Sequence, residues 1–208
     1  MSYNTLPSNL LSSTPPQGHL LWNAGRTLAT HLESNASTLI RGKTVLELGA
    51  GAGLPSLVSA IHGARHVVVT DYPDAELVEN LQYNIDHCSL LPQPRNIRAD
   101  GFLWGAETEK LIAGLPEGEQ RFDVLILADL LFNHSEHRKL VATVQQMLKR
   151  SEDARALVFF TPYRPWLLPN DLAFFDLVKE AGFEVEKFFE HTMEKVMFEE
   201  DPGVSDLR

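Results

Sequence analysis

Residues 45–53 read Val-Leu-Glu-Leu-Gly-Ala-Gly-Ala-Gly, and no other stretch of the chain restricts its fold as much. The apolar run Thr44 to Leu48 has the length of a buried strand. Gly49, Gly51 and Gly53 follow at once, ahead of a helical stretch Leu54 to His62. Glycine is needed where a chain turns sharply and where a ligand must approach backbone that a Cβ would block. A strand, an amide-rich turn and a helix in succession make a nucleotide-binding position in α/β sheets. The spacing is G-x-G-x-G, and Leu54 stands where the dinucleotide fingerprint G-x-G-x-x-G has its third glycine, which argues against a dinucleotide.

The rest of the chain repeats this alternation, the signature of βαβ units and a largely parallel sheet with helices on both faces. Further strands are predicted at Val67 to Thr70, Asn96 to Ala99, Phe122 to Ala128, Ala156 to Phe160 and Phe183 to Phe189. Helices are predicted at Asp74 to His87, Ser135 to Arg150 and Asp171 to Ala181, with Asp74 and Ser135 as N-caps and Gly182 as the C-terminal stop. Leu20, Leu21, Ala24, Leu28 and Leu32 recur at helical spacing and mark an amphipathic helix ahead of the sheet. Residues 1–18, rich in Ser, Pro, Asn and Thr, read as a flexible arm, leaving 19–208 as one domain.

Bulk properties narrow the function. With 28 acidic against 18 basic side chains the formal charge is -10, which repels phosphate backbones and excludes nucleic acid as the expected substrate. A cationic partner is favoured instead. Apolar runs are strand-sized, far short of the ~20 residues a membrane-spanning helix needs. One cysteine, Cys88, excludes an internal disulfide framework, and a reducing cytoplasm is the expected home.

Two carboxylates flank the glycine turn. Glu47, two residues ahead of Gly49, adds negative charge where a pyrophosphate would prefer none and suits the ammonium and sulfonium groups of S-adenosylmethionine. Asp71 ends the second strand about twenty residues on, where a carboxylate accepts from both ribose hydroxyls. Singly, Glu47 reads as a surface acid at a strand end and Asp71 as a cap on the next helix; their joint placement favours the ligand. Trp104 is either a flat apolar face for adenine, with Asp100 accepting from its amino group, or plain core.

The sequence resembles the seven-strand, class I methyltransferases of the family 16 type, and within them the fungal nicotinamide N-methyltransferase-like group. Members of that group act as protein N-terminal and lysine methyltransferases on translation elongation factor 1-alpha. The resemblance runs through His19-Leu-Leu-Trp-Asn-Ala-Gly-Arg26, the glycine turn, Val69-Thr-Asp-Tyr-Pro-Asp74, Ala128-Asp-Leu-Leu-Phe-Asn-His-Ser-Glu-His137 and Phe160-Thr-Pro-Tyr-Arg-Pro-Trp166. It implies a Rossmann-like fold, S-adenosylmethionine as cofactor, a protein substrate and a monomer. It also implies that Gly49, Ala50, Gly51 and Asp71 line the cofactor site together with Trp22, Trp104 and Ala128.

Asp129 to Phe132 matches the Asp/Glu-x-x-Tyr/Phe pattern of related protein-lysine methyltransferases. On that likeness Asp129 orients the target amine and Phe132 walls the lysine channel through cation-π contact. By spacing alone the two read as a helix-start acid and a buried aromatic. His134 and His137 lack the further ligands a metal site needs; His134 reads as a helix-start residue or a proton acceptor for the amine. Tyr163 and Arg164 fall where a substrate-gripping loop is expected, although Arg164 equally suits a surface ion pair. The closing strand of seven-strand sheets is expected to be missing, because His191 to Arg208 has little strand propensity. Two other readings are a small-molecule N-methyltransferase for nicotinamide and a non-catalytic interaction module.

Overall fold

The computed structural model describes residues 21–192, so the expected arm at 1–18 and the tail from 193 lie outside the described residues. Five strands form one all-parallel sheet in the order β3-β2-β1-β4-β5. They are β1 (Thr44–Leu48), β2 (His66–Asp71), β3 (Ile97–Gly101), β4 (Val124–Ala128) and β5 (Arg155–Phe159). The helices are α1 (Asn23–Ser34), α2 (Ala36–Leu39), α3 (Leu54–Ile61), α4 (Ala75–His87), α5 (Glu109–Ile112), α6 (His137–Met147) and α7 (Leu168–Glu180).

Strand alternation divides the core in two. Val45, Val67, Val69, Val124 and Ile126 face one way and pack with Leu28 and Leu32 of α1, Leu57 of α3 and Leu81 of α4. Leu46, Leu48, Val68, Leu125 and Leu127 face the other and pack with Leu111 of α5, Leu140 and Val144 of α6 and Phe174 of α7. All five residues of β1 are buried, as the centre of a parallel sheet covered on both faces requires. Because β1 pairs with β2 on one side and β4 on the other, the connections leaving β1 and β4 diverge. A crevice opens there at the carboxyl ends of the strands.

Helix boundaries follow local chemistry. Asp74 caps α4 through the Glu76 amide at 2.9 Å, as expected, and Gly182 follows α7 at φ +89°. Ser135 does not cap a helix. It lies inside a 3-10 turn, His134–Glu136, with its hydroxyl on Asn133 Oδ1 at 3.1 Å, and α6 starts at His137. Helix α7 begins before the expected Asp171, since Pro169 sits in the first turn, where its missing N–H costs nothing. The strand predicted at Phe183 to Phe189 does not form. A strand needs a neighbour for its N–H and C=O groups, and among the described residues none runs beside it. The segment instead lays Phe188 and Phe189 against Phe159 of β5 at centroid distances of 5.7 and 6.2 Å.

At the opposite end of the sheet Asp123 fastens three elements. Its Oδ2 accepts from the backbone N–H and hydroxyl of buried Thr44 at 2.8 and 2.9 Å, and its Oδ1 meets Lys149, just past α6, at 2.7 Å. Asp123→Ala strips both Thr44 donors of their acceptor and is expected to cost about 1–3 kcal/mol of stability, read as a lowered urea midpoint at unchanged m-value.

Candidate active site

Gly49, Gly51 and Gly53 all adopt left-handed backbone, at φ +57°, +56° and +73°. Gly49 is required twice over. A Cβ there would stand 2.6 Å from Leu130 Cδ2, just past β4, and 3.2 Å from the Trp104 ring. The turn from β1 thus presses against the segment leaving β4, closing the base of the crevice. Around it the Ala50 amide donates to the Thr70 carbonyl at 2.9 Å, and the Thr70 hydroxyl to the Glu47 carbonyl at 2.7 Å.

Asp71 ends β2 with its carboxylate on this turn. Oδ2 accepts from the Gly51 amide at 2.7 Å and Oδ1 from the Tyr72 amide at 2.7 Å. Gly49, Ala50, Gly51, Asp71 and Trp104 are therefore brought together. Ala128 closes β4 beside Phe159 of β5. Trp22 stands at the N-terminus of α1, its ring 5.2 Å from that of Tyr163 in an edge-to-face pair. Asp100 is engaged by Arg98 at 2.9 Å, so the acceptor foreseen for an adenine amine already holds a guanidinium.

The structure overturns the alternative reading of Glu47 as a surface acid. Strand alternation sends it to the inner face that Val45 shares, where it is only 1% exposed. Its Oε2 accepts from the Ser56 amide at 2.9 Å, in the first turn of α3, whose N-cap Gly53 has no side chain to do so. Burial, with Asp71 nearby, pushes its carboxyl up to about 8. Glu47 is thus a brace beneath the glycine turn, and Asp71 is the acid that fronts the turn.

Asp129 is the only non-glycine residue with positive φ among the described residues, at +54°. That backbone costs an L-residue energy, and the surroundings hold it. Its amide donates to the Phe159 carbonyl at 2.8 Å. Its Oδ1 accepts from the Thr161 amide at 2.7 Å, its Oδ2 from the Ala24 amide at 3.0 Å, and the Thr161 and Tyr163 side chains also bond to it. Burial, only partly opposed by these donors, raises its carboxyl to about 6. Asp129 is thus a 7% exposed knot joining the start of α1, the end of β4 and the loop after β5. Phe132 is 59% exposed, which overturns the reading of a core aromatic and leaves its ring free for a ligand.

His134 separates from this group. Its Nε2 is 2.6 Å from Asp171 Oδ1 on α7, while His137 Nε2 bonds the Leu131 carbonyl at 2.8 Å. The two imidazoles pack edge to face, and His137 packs in turn on Phe174. The His134 bond to Asp171 ties the segment after β4 to α7. Spacing missed Ala24, Leu130 and Thr161, which act through backbone amides or a packed methyl; the one available signal was that a buried acid such as Asp129 must find donors.

Comparison with known proteins gives the family. Residues 12–181 match the family described as lysine methyltransferase. A protein N-terminal and lysine N-methyltransferase of Aspergillus fumigatus is 51% identical over 209 residues, covering 100% of this chain and 81% of that protein. The like-named protein of Emericella nidulans is 52% identical over 204 residues, covering 96% and 79%. That of Kluyveromyces lactis is 43% identical over 213 residues, covering 96% and 77%. Among solved structures, a Galdieria sulphuraria protein provisionally described as a sarcosine dimethylglycine methyltransferase superimposes with a TM-score of 0.51 at 17% identity, covering 76% of this chain and 58% of that one. The YcgJ protein of Bacillus subtilis gives 0.50 at 23%, covering 68% and 54%. At such identities the likeness speaks for the fold alone.

The Glu47 brace has a measurable signature. A carboxyl whose folded pKa lies above its unfolded value binds its proton more tightly when folded, so stability falls as pH rises towards about 8. Asp129 at about 6 and the depressed imidazoles of His31 and His66 titrate lower. Between pH 7 and 8 the cofactor-free protein is therefore expected to lose melting temperature, and Glu47→Gln, which keeps an acceptor for Ser56, to flatten that slope. Parallel slopes in thermal melts of the two proteins would remove the buried proton from the account.

Proposed function

The chain belongs to the lysine methyltransferase family and is an N-methyltransferase, and we propose that it uses S-adenosylmethionine to methylate the N-terminal α-amine and an adjacent lysine of translation elongation factor 1-alpha. The observation that carries the chemistry is Asp71, its carboxylate bonded to the Gly51 amide at the crevice between β1 and β4. The choice of target is supported by the 51% identity, along the whole chain, to a protein named for N-terminal and lysine methylation. Elongation factor 1-alpha itself follows from the group that the motifs resemble.

The residues suit the cofactor's chemistry. A ribose offers two hydroxyl donors, and Asp71 is a carboxylate held at the turn to receive them. Gly49, Ala50 and Gly51 present backbone without a Cβ at the two glycines, and the Trp104 ring beside Gly49 offers adenine a flat apolar wall. Trp22 and Ala128 complete the lining. When bound, S-adenosylmethionine supplies a methyl group on a positively charged sulfur, which an amine lone pair displaces.

On the acceptor side, Asp129 attracts the cationic amine to the end of β4. Its carboxyl is ionised above about pH 6, so activity is expected to rise through that pH. Phe132, exposed three residues on, offers the amine a ring face. An ammonium has no lone pair, so the amine must shed its proton before attack, and an N-terminal amine does so more readily than lysine. The chain's overall charge of -10 favours encounter with such cations. The same reading makes the protein a cytoplasmic monomer, in keeping with a lone, reduced Cys88.

The test is mass spectrometry after incubation with isotopically labelled cofactor and either purified elongation factor 1-alpha or nicotinamide. Label on the factor's first residue and a neighbouring lysine is expected; label on nicotinamide alone would give the reaction to a small amine. Asp71→Asn is expected to weaken cofactor affinity about tenfold or more by calorimetry. Asp129→Asn tolerates the left-handed backbone, and should leave that affinity intact while lowering turnover about a hundredfold.

A further inference from the structure

Large apolar side chains crowd the loops that leave the strand ends. Tyr72 after β2 and Leu103 after β3 are 60% and 44% exposed, and Phe132 after β4 and Trp166 after β5 are 59% and 72% exposed. Sheet order sorts them into two pairs, one on each side of the glycine turn. The first pair borders Asp71 and the cofactor half of the crevice. The second lies beyond Asp129, on the acceptor half.

The second pair is deliberately held. Arg164 passes its Nη2 across to the Phe132 carbonyl at 2.9 Å, joining the loop after β5 to the loop after β4. The Arg164 carbonyl in turn accepts from the Leu167 amide at 2.8 Å, closing the 3-10 turn Pro165–Leu167 that carries Trp166. One residue therefore meets the backbone beneath both rings, through its side chain at Phe132 and through its own carbonyl at the turn carrying Trp166. Neither ring gains much from burial, so the protein's own packing does not account for keeping them there. Exposed aromatic residues on a braced support are what protein interfaces use as anchors.

We propose that Phe132 and Trp166, braced by Arg164, form the docking surface for the stretch of substrate polypeptide beside the target amine. The inference rests on the protein-substrate reading above. An amine drawn to buried Asp129 must carry its chain outwards past the strand ends, and Phe132, three residues from Asp129, lies within about 10 Å along that route. A free small amine would end between Asp129 and Phe132 and has no chain to lay on Trp166. A cationic peptide also suits a chain with 28 acidic and 18 basic residues. Arg164 is a positioning residue, acting through the Phe132 carbonyl and not on the amine.

The experiment is steady-state methyl transfer to a short peptide with a free α-amine and a nearby lysine, with cofactor affinity measured in parallel. Trp166 is exposed enough for its replacement to leave the core alone. Trp166→Ala and Arg164→Ala are each expected to raise KM for the peptide about tenfold, with cofactor affinity unchanged and kcat much less affected. Trp166→Phe and Arg164→Lys, which keep a ring and a donor, should recover part of the loss. Wild-type KM in both alanine variants, or an equal loss of cofactor affinity in them, overturns the docking surface. Wild-type enzyme that labels nicotinamide and no peptide overturns the underlying reading instead.

Discussion

Burial of both faces of the sheet is the constraint from which the site follows. With all five residues of β1 enclosed, and helices packed on either side, polar chemistry is displaced to the strand ends. There the divergence of the chains leaving β1 and β4 opens a crevice, and the steric demand at Gly49 sets how closely its walls approach. Asp71 and Asp129 then fall on opposite sides of one turn.

Three carboxyl groups near this turn have been given different work by their surroundings. Glu47, sealed under α3 with donation from Ser56 alone, has its carboxyl pushed up to about 8 by burial and braces the first turn of that helix. Asp71, at the mouth, holds the turn and keeps contact with solvent. Asp129 is nearly as buried as Glu47, yet donors from two segments, the start of α1 and the loop after β5, hold its carboxyl down to about 6. Residue type alone would not distinguish them; depth and donor count do.

The layout of β1 to β5 was legible in the sequence because strands buried on both faces must be continuous apolar runs, and Thr44–Leu48 and Val124–Ala128 are such runs. Gly49, Gly51 and Asp71 were legible for a related reason: a tight turn and an acid one βαβ unit later are set by local spacing. The segment from Phe183 to Phe189 misled because pairing belongs to a strand's neighbour, not to the strand. The burial of Glu47 follows from its alternation with Val45, which points inwards. The partners of His134 and Arg164 could not be read, since Asp171 and the Phe132 carbonyl lie 37 and 32 residues away.

The two sides of the crevice also differ in how far apart their parts lie along the chain. Gly51 and Asp71 are separated by 20 residues and meet within one strand-helix-strand unit. Asp129 must find Thr161 across 32 residues and Ala24 across 105. Closing longer loops costs more entropy and delays the contacts that depend on them. During synthesis the contact between Gly51 and Asp71 can therefore form while the ribosome is still extending the chain, whereas the knot at Asp129 waits for Thr161 to emerge, so the junction of α1, β4 and the loop after β5 is tied late.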